Sequence, residues 1–254
     1  MKFIILVTFL TIAPWASAQK SALPEPLNLL IQQGGEVVEQ FDAPAGMQGY
    51  IADFRGQVIT LYVTSDDKYM FTGAMLDTQG NNLGEQAIQD YMSGPKSIKD
   101  WKQLETSHWV LDGSPAAKRI VYTFTDPNCP YCSKFWQNAR PWVDSGQVQI
   151  RHILVGILRA DSQQKAAAIL AAEKPSVALA EHQVANSLPN LKPLLEHSTD
   201  IKRKLMENHQ IMMVMGASAT PATFYQDETG VVQKQMGLPP EAMMTQILGH
   251  LKEN

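Results

Sequence analysis

The first third of the chain alternates short apolar runs with turn residues, a pattern typical of a small antiparallel sheet. Apolar residues at 27, 30 and 31 share one face of a short predicted helix, which two glycines at 34 and 35 end. Four β-rich runs follow, separated by turn residues: EVVEQFDA, GYIADF, QVITLYVT and YMFTGAML. We therefore predict an antiparallel-sheet domain over residues 19–82. A domain of about 60 residues has a marginal core, which favours association with a partner.

The pattern over residues 83–107 becomes helical and polar. Ile98, Trp101, Leu104 and His108 recur at helical spacing and form one amphipathic stripe. The segment Ser93-Gly94-Pro95 interrupts this pattern. We interpret residues 83–107 as a linker helix that joins two domains.

Residues 108–254 mix buried strands with helices and are predicted to form the second domain. Two apolar, β-branched runs, KRIVYTFTD and GQVQIRHILVGIL, are typical of buried strands. Between them, a helix is expected to begin just after Cys129, because proline suits the first helical position, and to kink or end at Pro141. An Ala-rich helical block, a second helix over 200–215, a strand hairpin over 221–237 and a last helix starting near Pro240 complete the order. The whole chain is therefore predicted to be α+β.

Composition argues against a nucleic-acid-binding protein, and the N-terminal residues indicate an exported one. The chain has 254 residues and a formal net charge of −4, and it contains no Lys/Arg-rich run that could neutralise phosphates, so we expect no nucleic-acid partner. Residues 1–18 combine a positive start, an apolar run and a small-residue site, which is typical of a secretory signal peptide cleaved after Ala18. A membrane anchor is the alternative, but Pro14 breaks the run, which is shorter than the roughly 20 residues that span a bilayer. The mature protein is therefore expected to be exported.

The only two cysteines, Cys129 and Cys132, allow three interpretations. A structural disulfide closing a loop of about four residues would contribute roughly 2 kcal/mol and would join residues that are already neighbours. Zinc needs four ligands, and the six histidines form no pair at three- to five-residue spacing, which leaves only a site shared across a dimer. Covalent haem would need histidine at position 133, where serine stands. We expect neither a metal nor another cofactor.

Redox chemistry fits the position of the pair best. An ordinary thiol is only about 3% ionised at pH 7, and a helix dipole alone lowers its pKa by less than about one unit. Because Pro130 has no N–H, the backbone N–H groups of Tyr131 and Cys132 would have to stabilise a thiolate on Cys129. We therefore predict a lowered pKa and an exposed, nucleophilic sulfur for Cys129, with Cys132 buried and less acidic.

A second motif, Thr220-Pro221, stands immediately before a β-rich run. Most X–Pro bonds in folded proteins are trans, so the motif alone is compatible with an ordinary loop. A strand that begins at a proline, downstream of CxxC at a strand–helix junction, is nevertheless the thioredoxin arrangement. In that arrangement a cis-proline loop packs against the cysteines and pairs with an extended substrate segment.

Several segments together resemble the periplasmic thiol:disulfide interchange proteins of the DsbC/DsbG family: TDPNCPYCSKFW, ARPWVDSGQV, ATPATFY, FDAPAGMQGY and SHWVLDG. The resemblance is greater to DsbG, which shares CPYC, than to DsbC, which has glycine in the motif and an additional cysteine pair. It implies a V-shaped homodimer with an N-terminal cystatin-like dimerisation domain, a linker helix and a C-terminal thioredoxin-fold domain with a helical insertion.

The resemblance also implies an activity and partners. Cys129 would be the nucleophile, Cys132 the resolving cysteine, and Thr220 and Pro221 the cis-proline loop. Family members have disulfide isomerase, chaperone-like and sulfenic-acid-reducing roles on exported client proteins, and a membrane reductase of the DsbD type keeps them reduced. A dithiol oxidase, or a chaperone whose CxxC is incidental, are the alternatives.

Three further residue types near the motif have two interpretations each. Tyr131 is expected to face solvent and to contact clients, whereas Trp136 and Trp142 are expected in the core rather than in a client groove. Asp126, three residues before Cys129, either modulates the acidity of the thiol or has a helix-capping or turn role.

Overall fold

The computed structural model describes residues 23–54, 56–184, 192–196 and 198–251. The expected signal peptide and its cleavage site lie outside these residues. Over the described chain the predicted α+β class is confirmed, with two separate sheets and helices between and around them. Within the described ranges, no helix is both long and apolar enough to cross a bilayer.

The first sheet is antiparallel throughout, in the strand order β1-β2-β3-β4. Its elements in chain order are α1 (Leu27–Gln32), β1 (Gly35–Asp42), β2 (Gln48–Phe54), β3 (Gln57–Val63) and β4 (Met70–Thr72). Leu27 of α1 packs on a small apolar cluster that includes Tyr50 and Leu61 of the central strands. All four strands coincide with the β-rich runs of the sequence, because alternation and turn residues specify them locally.

A continuous helical segment connects the two sheets. It consists of α2 (Glu85–Tyr91), a π-helical turn (Met92–Lys96) and α3 (Ser97–Glu105). The interruption expected at Ser93-Gly94-Pro95 is thus only a widened turn, because a π turn can accommodate a proline that lacks its N–H and crowds the preceding carbonyl. Lys96 at the end of this turn is buried, and its Nζ lies 3.2 Å from Asp53 Oδ2 of β2 and 2.9 Å from Asp100 Oδ1 of α3.

The second sheet has five strands in the order β5-β7-β6-β8-β9. The strands are β5 (Trp109–Gly113), β6 (Arg119–Thr125), β7 (Val148–Leu154), β8 (Ala222–Gln226) and β9 (Val232–Met236). Only β6 and β7 run parallel, and the other neighbours are antiparallel. Strand β6 is the central strand, so the segment that follows Thr125 leaves the sheet at the carboxyl end of its central strand.

Helices cover both faces of the second sheet. They are α4 (Pro130–Asn138), α5 (Arg140–Asp144), α6 (Ser162–Ala171), α7 (Pro175–Val184), α8 (Thr199–Val214) and α9 (Glu241–Leu248). On one face Val121 packs with Phe135 of α4 and Ile247 of α9. On the other face the adjacent Tyr122 packs with Met212 of α8. This alternation along β6 follows from the two-residue period of a strand.

Candidate active site at the CxxC turn

Both cysteines lie where the central strand of the second sheet passes into α4. Cys129 is the N-cap residue of α4, with an extended backbone (φ −86°, ψ 111°), and Pro130 occupies the first turn of the helix. The predicted start of the helix just after Cys129 is therefore confirmed. Proline is favoured there because its fixed φ suits a helix and its missing N–H would have had no partner within the helix.

The sulfur of Cys129 is surrounded by hydrogen-bonding groups. The backbone N–H of Cys132 donates to it over 3.3 Å, and the thiol lies 3.2 Å from the carbonyl oxygen of Thr220. The pKa of Cys129 is lowered to about 6, mainly by a hydrogen bond from the Cys132 thiol, and further by Thr220 and the backbone N–H groups of Cys132 and Tyr131, against the opposing effect of burial. The two backbone donors are those predicted from the sequence. A thiol with this pKa is about 90% ionised at pH 7.

Cys132 has the opposite character. It is 1% exposed, and its pKa is raised well above the ordinary value by burial first, and then by its hydrogen bond to Cys129 and the charge of Cys129. One thiol of the pair is thus ionised near neutral pH while the other is protonated. No disulfide joins the two sulfurs in this structure.

One expectation about the pair was wrong. Cys129 is 2% exposed rather than accessible, because it lies between the first turn of α4 and the Thr220-Pro221 loop. A client can therefore reach this sulfur only if neighbouring groups move. Tyr131, inside the motif, is 58% exposed and faces solvent as predicted.

The Thr220-Pro221 loop lies against the cysteines although 91 residues separate Thr220 from Cys129. The peptide bond between Thr220 and Pro221 is cis, and β8 begins at the next residue. The hydroxyl Oγ1 of Thr220 is buried and has no hydrogen-bond partner within standard geometry among the described residues. It is therefore available to donate a hydrogen bond to the sulfur of Cys129. This agrees with the contribution of the Thr220 side chain to the low pKa of Cys129.

Both tryptophans of the motif region have structural positions, as expected. Trp136 is buried, and the guanidinium carbon of Arg140 lies 3.8 Å from its ring centroid. Trp142 donates from Nε1 to the carbonyl oxygen of Gly249 over 2.7 Å. Asp126 is buried below the turn and accepts backbone hydrogen bonds, so it has the turn role that was one of the two expectations, whereas the N-cap of α4 is Cys129.

Helix α7 contributes contacts that sequence reasoning missed. His182 donates from Nε2 to the carbonyl oxygen of Pro127 over 2.6 Å, because a carbonyl can only accept, and Ser133 donates to Gln183 Oε1 over 2.6 Å. These bonds fix the chain on both sides of the cysteine pair. No local sequence pattern predicts these hydrogen bonds, because the partners are about 50 residues apart along the chain. In the described ranges, no cluster of three or more His, Cys, Asp or Glu side chains could hold a metal ion.

Comparison with known proteins agrees with this geometry. Residues 114–252 match the model of the thioredoxin-like domain family. The chain is 43% identical to the thiol:disulfide interchange protein DsbG of Pseudomonas aeruginosa over 227 residues, which cover 89% of each chain. It is 37% identical to DsbG of Escherichia coli over 250 residues, covering 98% of this chain and 99% of that protein.

A solved structure shares the fold over part of the chain. The catalytic domain of Proteus mirabilis ScsC superposes with a TM-score of 0.50 at 20% identity, covering 59% of this chain and 93% of that domain. The thioredoxin fold expected for the C-terminal domain is confirmed, and so is the resemblance to DsbG. The chain therefore belongs to the DsbG family of periplasmic thiol:disulfide interchange proteins and is a disulfide oxidoreductase.

Proposed function

We propose that this protein acts in the periplasm as a homodimer that reduces or isomerises wrong disulfides, or reduces sulfenylated cysteines, in exported proteins. Cys129 is the attacking cysteine and Cys132 the resolving one. The observation that carries this proposal is the difference between the two thiols: the pKa of Cys129 is about 6, whereas burial and Cys129 itself raise that of Cys132. Thiol exchange needs one thiolate at neutral pH and a second thiol held in reserve.

The first step is attack by the Cys129 thiolate on a client sulfur. With a disulfide, a bond forms between Cys129 and one client sulfur, the client S–S bond breaks, and the other client sulfur leaves as a thiolate that takes up a proton. With a sulfenic acid, attack on the client sulfur breaks its S–O bond, and the oxygen leaves as water after taking up a proton. Both routes give the same mixed disulfide.

The second step is attack by Cys132 on the sulfur of Cys129. While Cys129 is a thiolate, its charge and hydrogen bond help to raise the pKa of Cys132, after the larger effect of burial. Both contributions disappear once Cys129 is bonded to a client, so Cys132 loses its proton more readily at that stage. Its thiolate then releases the client thiol and leaves a Cys129–Cys132 disulfide, with two electrons transferred to the client. In isomerisation, a client thiol attacks instead and no net electron transfer occurs.

The backbone at Thr220-Pro221 is the proposed binding site for an extended segment of the client. Among the described contacts, the carbonyl oxygen of Thr220 accepts only from the protonated Cys129 thiol, so it has no donor there once Cys129 is a thiolate. Thr220 and Pro221 border the sulfur. An extended client segment would pair with this stretch, as in the thioredoxin arrangement, while the exposed ring of Tyr131 contacts it from the other side.

Trapping of clients by Cys132→Ala tests the proposal. This variant should accumulate mixed disulfides through Cys129 in the periplasm, which non-reducing electrophoresis and mass spectrometry would identify. The control is the double variant Cys129→Ala, Cys132→Ala, which should trap nothing. Clients with a single cysteine indicate sulfenic-acid reduction, and clients with several indicate isomerisation. If the single variant traps no client, the assigned roles of the two cysteines are wrong.

A dithiol oxidase is the second candidate, and the low pKa of Cys129 favours it, since a stabilised thiolate makes the oxidised form a stronger oxidant. Family membership favours the reductive role, in which a membrane reductase of the DsbD type regenerates the thiols. Thiol trapping in cells separates the two. A protein that is mostly oxidised at Cys129–Cys132 at steady state would be an oxidase.

A further inference from the structure

A buried carboxylate lies directly below the CxxC turn. Asp126 is 1% exposed and follows the last residue of β6. Its Oδ1 accepts hydrogen bonds from the Asn128 N–H and the Ser162 hydroxyl, each over 2.8 Å. Its Oδ2 accepts from the N–H groups of Ile157 and Leu158 over 2.7 and 2.9 Å. Four donors thus fill the acceptor positions of one carboxylate, and three of them belong to the backbone.

These bonds join the turn to two segments that are distant in sequence, the loop after β7 and the start of α6. The direction of the bond from Ser162 is fixed, because its oxygen already accepts from Asn128 Nδ2 over 2.9 Å and from the Arg159 N–H over 3.0 Å. The hydrogen of its hydroxyl therefore points to Asp126. Gly156 permits this packing, since a Cβ at that position would lie 2.4 Å from the Cα of Gln163 in α6.

A second layer of bonds holds the residue next to Cys129. The side-chain amide of Asn128 also donates to Asp161 Oδ1, and its oxygen accepts from Lys165 Nζ, both over 2.8 Å. The N–H of Cys129 donates to the backbone oxygen of Asp126 over 3.0 Å. The chain from Asp126 to Cys129 is therefore held at each residue by this network or, at Pro127, by His182.

We propose that Asp126 is a positioning residue for Cys129, acting through the backbone of the turn and not through its own charge on the sulfur. This inference rests on the proposed role of Cys129 as the attacking thiol. The N–H of Cys132 stabilises a thiolate only while the sulfur stays at hydrogen-bond distance, 3.3 Å in the structure. If the turn loosens, the sulfur spends less time within reach of its donors, and the thiolate becomes less stable.

The two ways in which Asp126 could affect Cys129 predict opposite results. A carboxylate acting by its charge destabilises a neighbouring thiolate, so its removal would make Cys129 more acidic. A carboxylate acting by position stabilises the thiolate, so its removal makes Cys129 less acidic. The substitution Asp126→Asn separates them, because it removes the charge and places an NH2 group against backbone N–H donors.

The experiment is a pH titration of thiolate absorbance near 240 nm in the reduced full-length protein. We expect Asp126→Asn to lower the ratio of thiolate to thiol on Cys129 at pH 6 about tenfold or more relative to the parent protein. The matched control is Asp227→Asn in the β8–β9 hairpin. Asp227 also accepts two backbone N–H groups, from Thr229 and Val231, but does not contact the turn, so the titration midpoint should not change.

A folded Asp126→Asn protein with an unchanged midpoint, or with a lower one, would overturn the proposal. If that variant does not fold, Ser162→Ala takes its place, since it removes one donor to the carboxylate and leaves all three backbone bonds. A smaller change in the same direction is expected there, and an unchanged midpoint in the folded Ser162→Ala protein overturns the proposal as well. Failure of the proposed function would appear differently, as the absence of trapped clients in Cys132→Ala whatever residue stands at 126.

Discussion

The acidity of Cys129 depends on a few donors at short range, and the Cys132 thiol is the most important of them. In the proposed mechanism the second cysteine therefore has two roles, one after the other. It stabilises the Cys129 thiolate before attack, and it resolves the mixed disulfide afterwards. A substitution that removes its sulfur alters both, whereas a hydroxyl at the same position can still donate a hydrogen bond.

The first prediction concerns the pH dependence of Cys129. Its alkylation by iodoacetamide should have a midpoint near the pKa of about 6, and should fall about tenfold for each pH unit below it. Cys132→Ala should raise this midpoint, and Cys132→Ser should raise it less. Rate measurements from pH 4 to 9 in the three proteins provide the test, and equal midpoints would exclude Cys132 as the main donor.

The same pKa affects stability. Because the pKa in the folded protein lies below the ordinary value of 9.0, ionisation of Cys129 favours the folded reduced form. This contribution is fully present above about pH 9 and is lost as the pH falls through about 6. The free energy of unfolding of the reduced protein, relative to Cys129→Ser, should therefore increase between pH 6 and 9 in urea titrations. A constant difference over this range would contradict the low pKa.

The third prediction concerns the hydroxyl of Thr220. Thr220→Val keeps the shape of the side chain but removes a group that helps to lower the pKa of Cys129, so alkylation at pH 6 should slow roughly threefold. Thr223→Val is the matched control. Thr223 is also buried in this region, but its hydroxyl pairs with that of Thr123 over 3.3 Å and not with the sulfur. Equal rates in both variants would show that the Thr220 hydroxyl has no effect.

At the scale of secondary-structure elements, local patterns predicted most of the fold. The four strands of the first sheet, the start of α4 and the β8–β9 hairpin are specified by nearby residues, and the structure has them where the sequence indicated. Strand β5 was not predicted, because it is a five-residue edge strand whose only partner strand in the described chain, β7, lies about 40 residues further along the chain. The burial of Cys129 was missed for the same reason, since the loop that covers it comes from residue 220.

The helical segment between the sheets carries a buried charge that the sequence pattern did not reveal. Lys96 lies between Asp53 of the first sheet and Asp100 of α3. Burial opposes its charge, but Asp100 and Asp53 together raise the pKa of Lys96. Burial raises the pKa of Asp100 even so, and Lys96 opposes this rise, so the ionised form of Asp100 depends on Lys96.

The fourth prediction follows from this arrangement. Lys96→Met should lower the free energy of unfolding by about 3 kcal/mol, because it removes the ion-pair partner of two partly buried carboxylates. Lys99→Met is the control: it removes an exposed pair with Glu36 and should cost less than about 1 kcal/mol. Chemical denaturation at neutral pH measures both. The contribution of Lys96 to stability also depends on pH. Because its pKa is raised in the folded protein, this contribution is present below pH 10.5 and is lost as the pH rises through the pKa of the folded state.

At the scale of the whole molecule, the first sheet has two open edges of different character. Strand β1 carries Glu36 and Glu39 and a bulge between Val37 and Glu39, features that discourage pairing with another strand. Strand β4 is short and carries exposed aromatic rings, Tyr69 just before it and Phe71 within it. The edge at β4 is therefore the better candidate for the contact between two copies of the chain in the proposed homodimer.

The register of β4 shows which backbone groups are available for that contact. The N–H of Gly73 donates to the Thr60 oxygen, and the N–H of Thr64 donates to the Tyr69 oxygen. Residues 69, 71 and 73 therefore face β3, and the backbone groups of Met70 and Thr72 point away from it, since neighbouring residues of a strand alternate in direction. An added strand would pair with Met70 and Thr72.

The last prediction uses this difference in direction. Thr72→Pro removes an outward N–H and keeps the pairing with β3, so it should weaken the dimer at least tenfold without unfolding the sheet. Thr72→Val keeps the N–H and should remain dimeric. Light scattering over a range of concentrations measures the effect, and circular dichroism confirms that each variant is folded. A folded Thr72→Pro protein that dimerises as tightly as Thr72→Val would place the contact elsewhere, and a parent chain that is monomeric at micromolar concentration would contradict the homodimer itself.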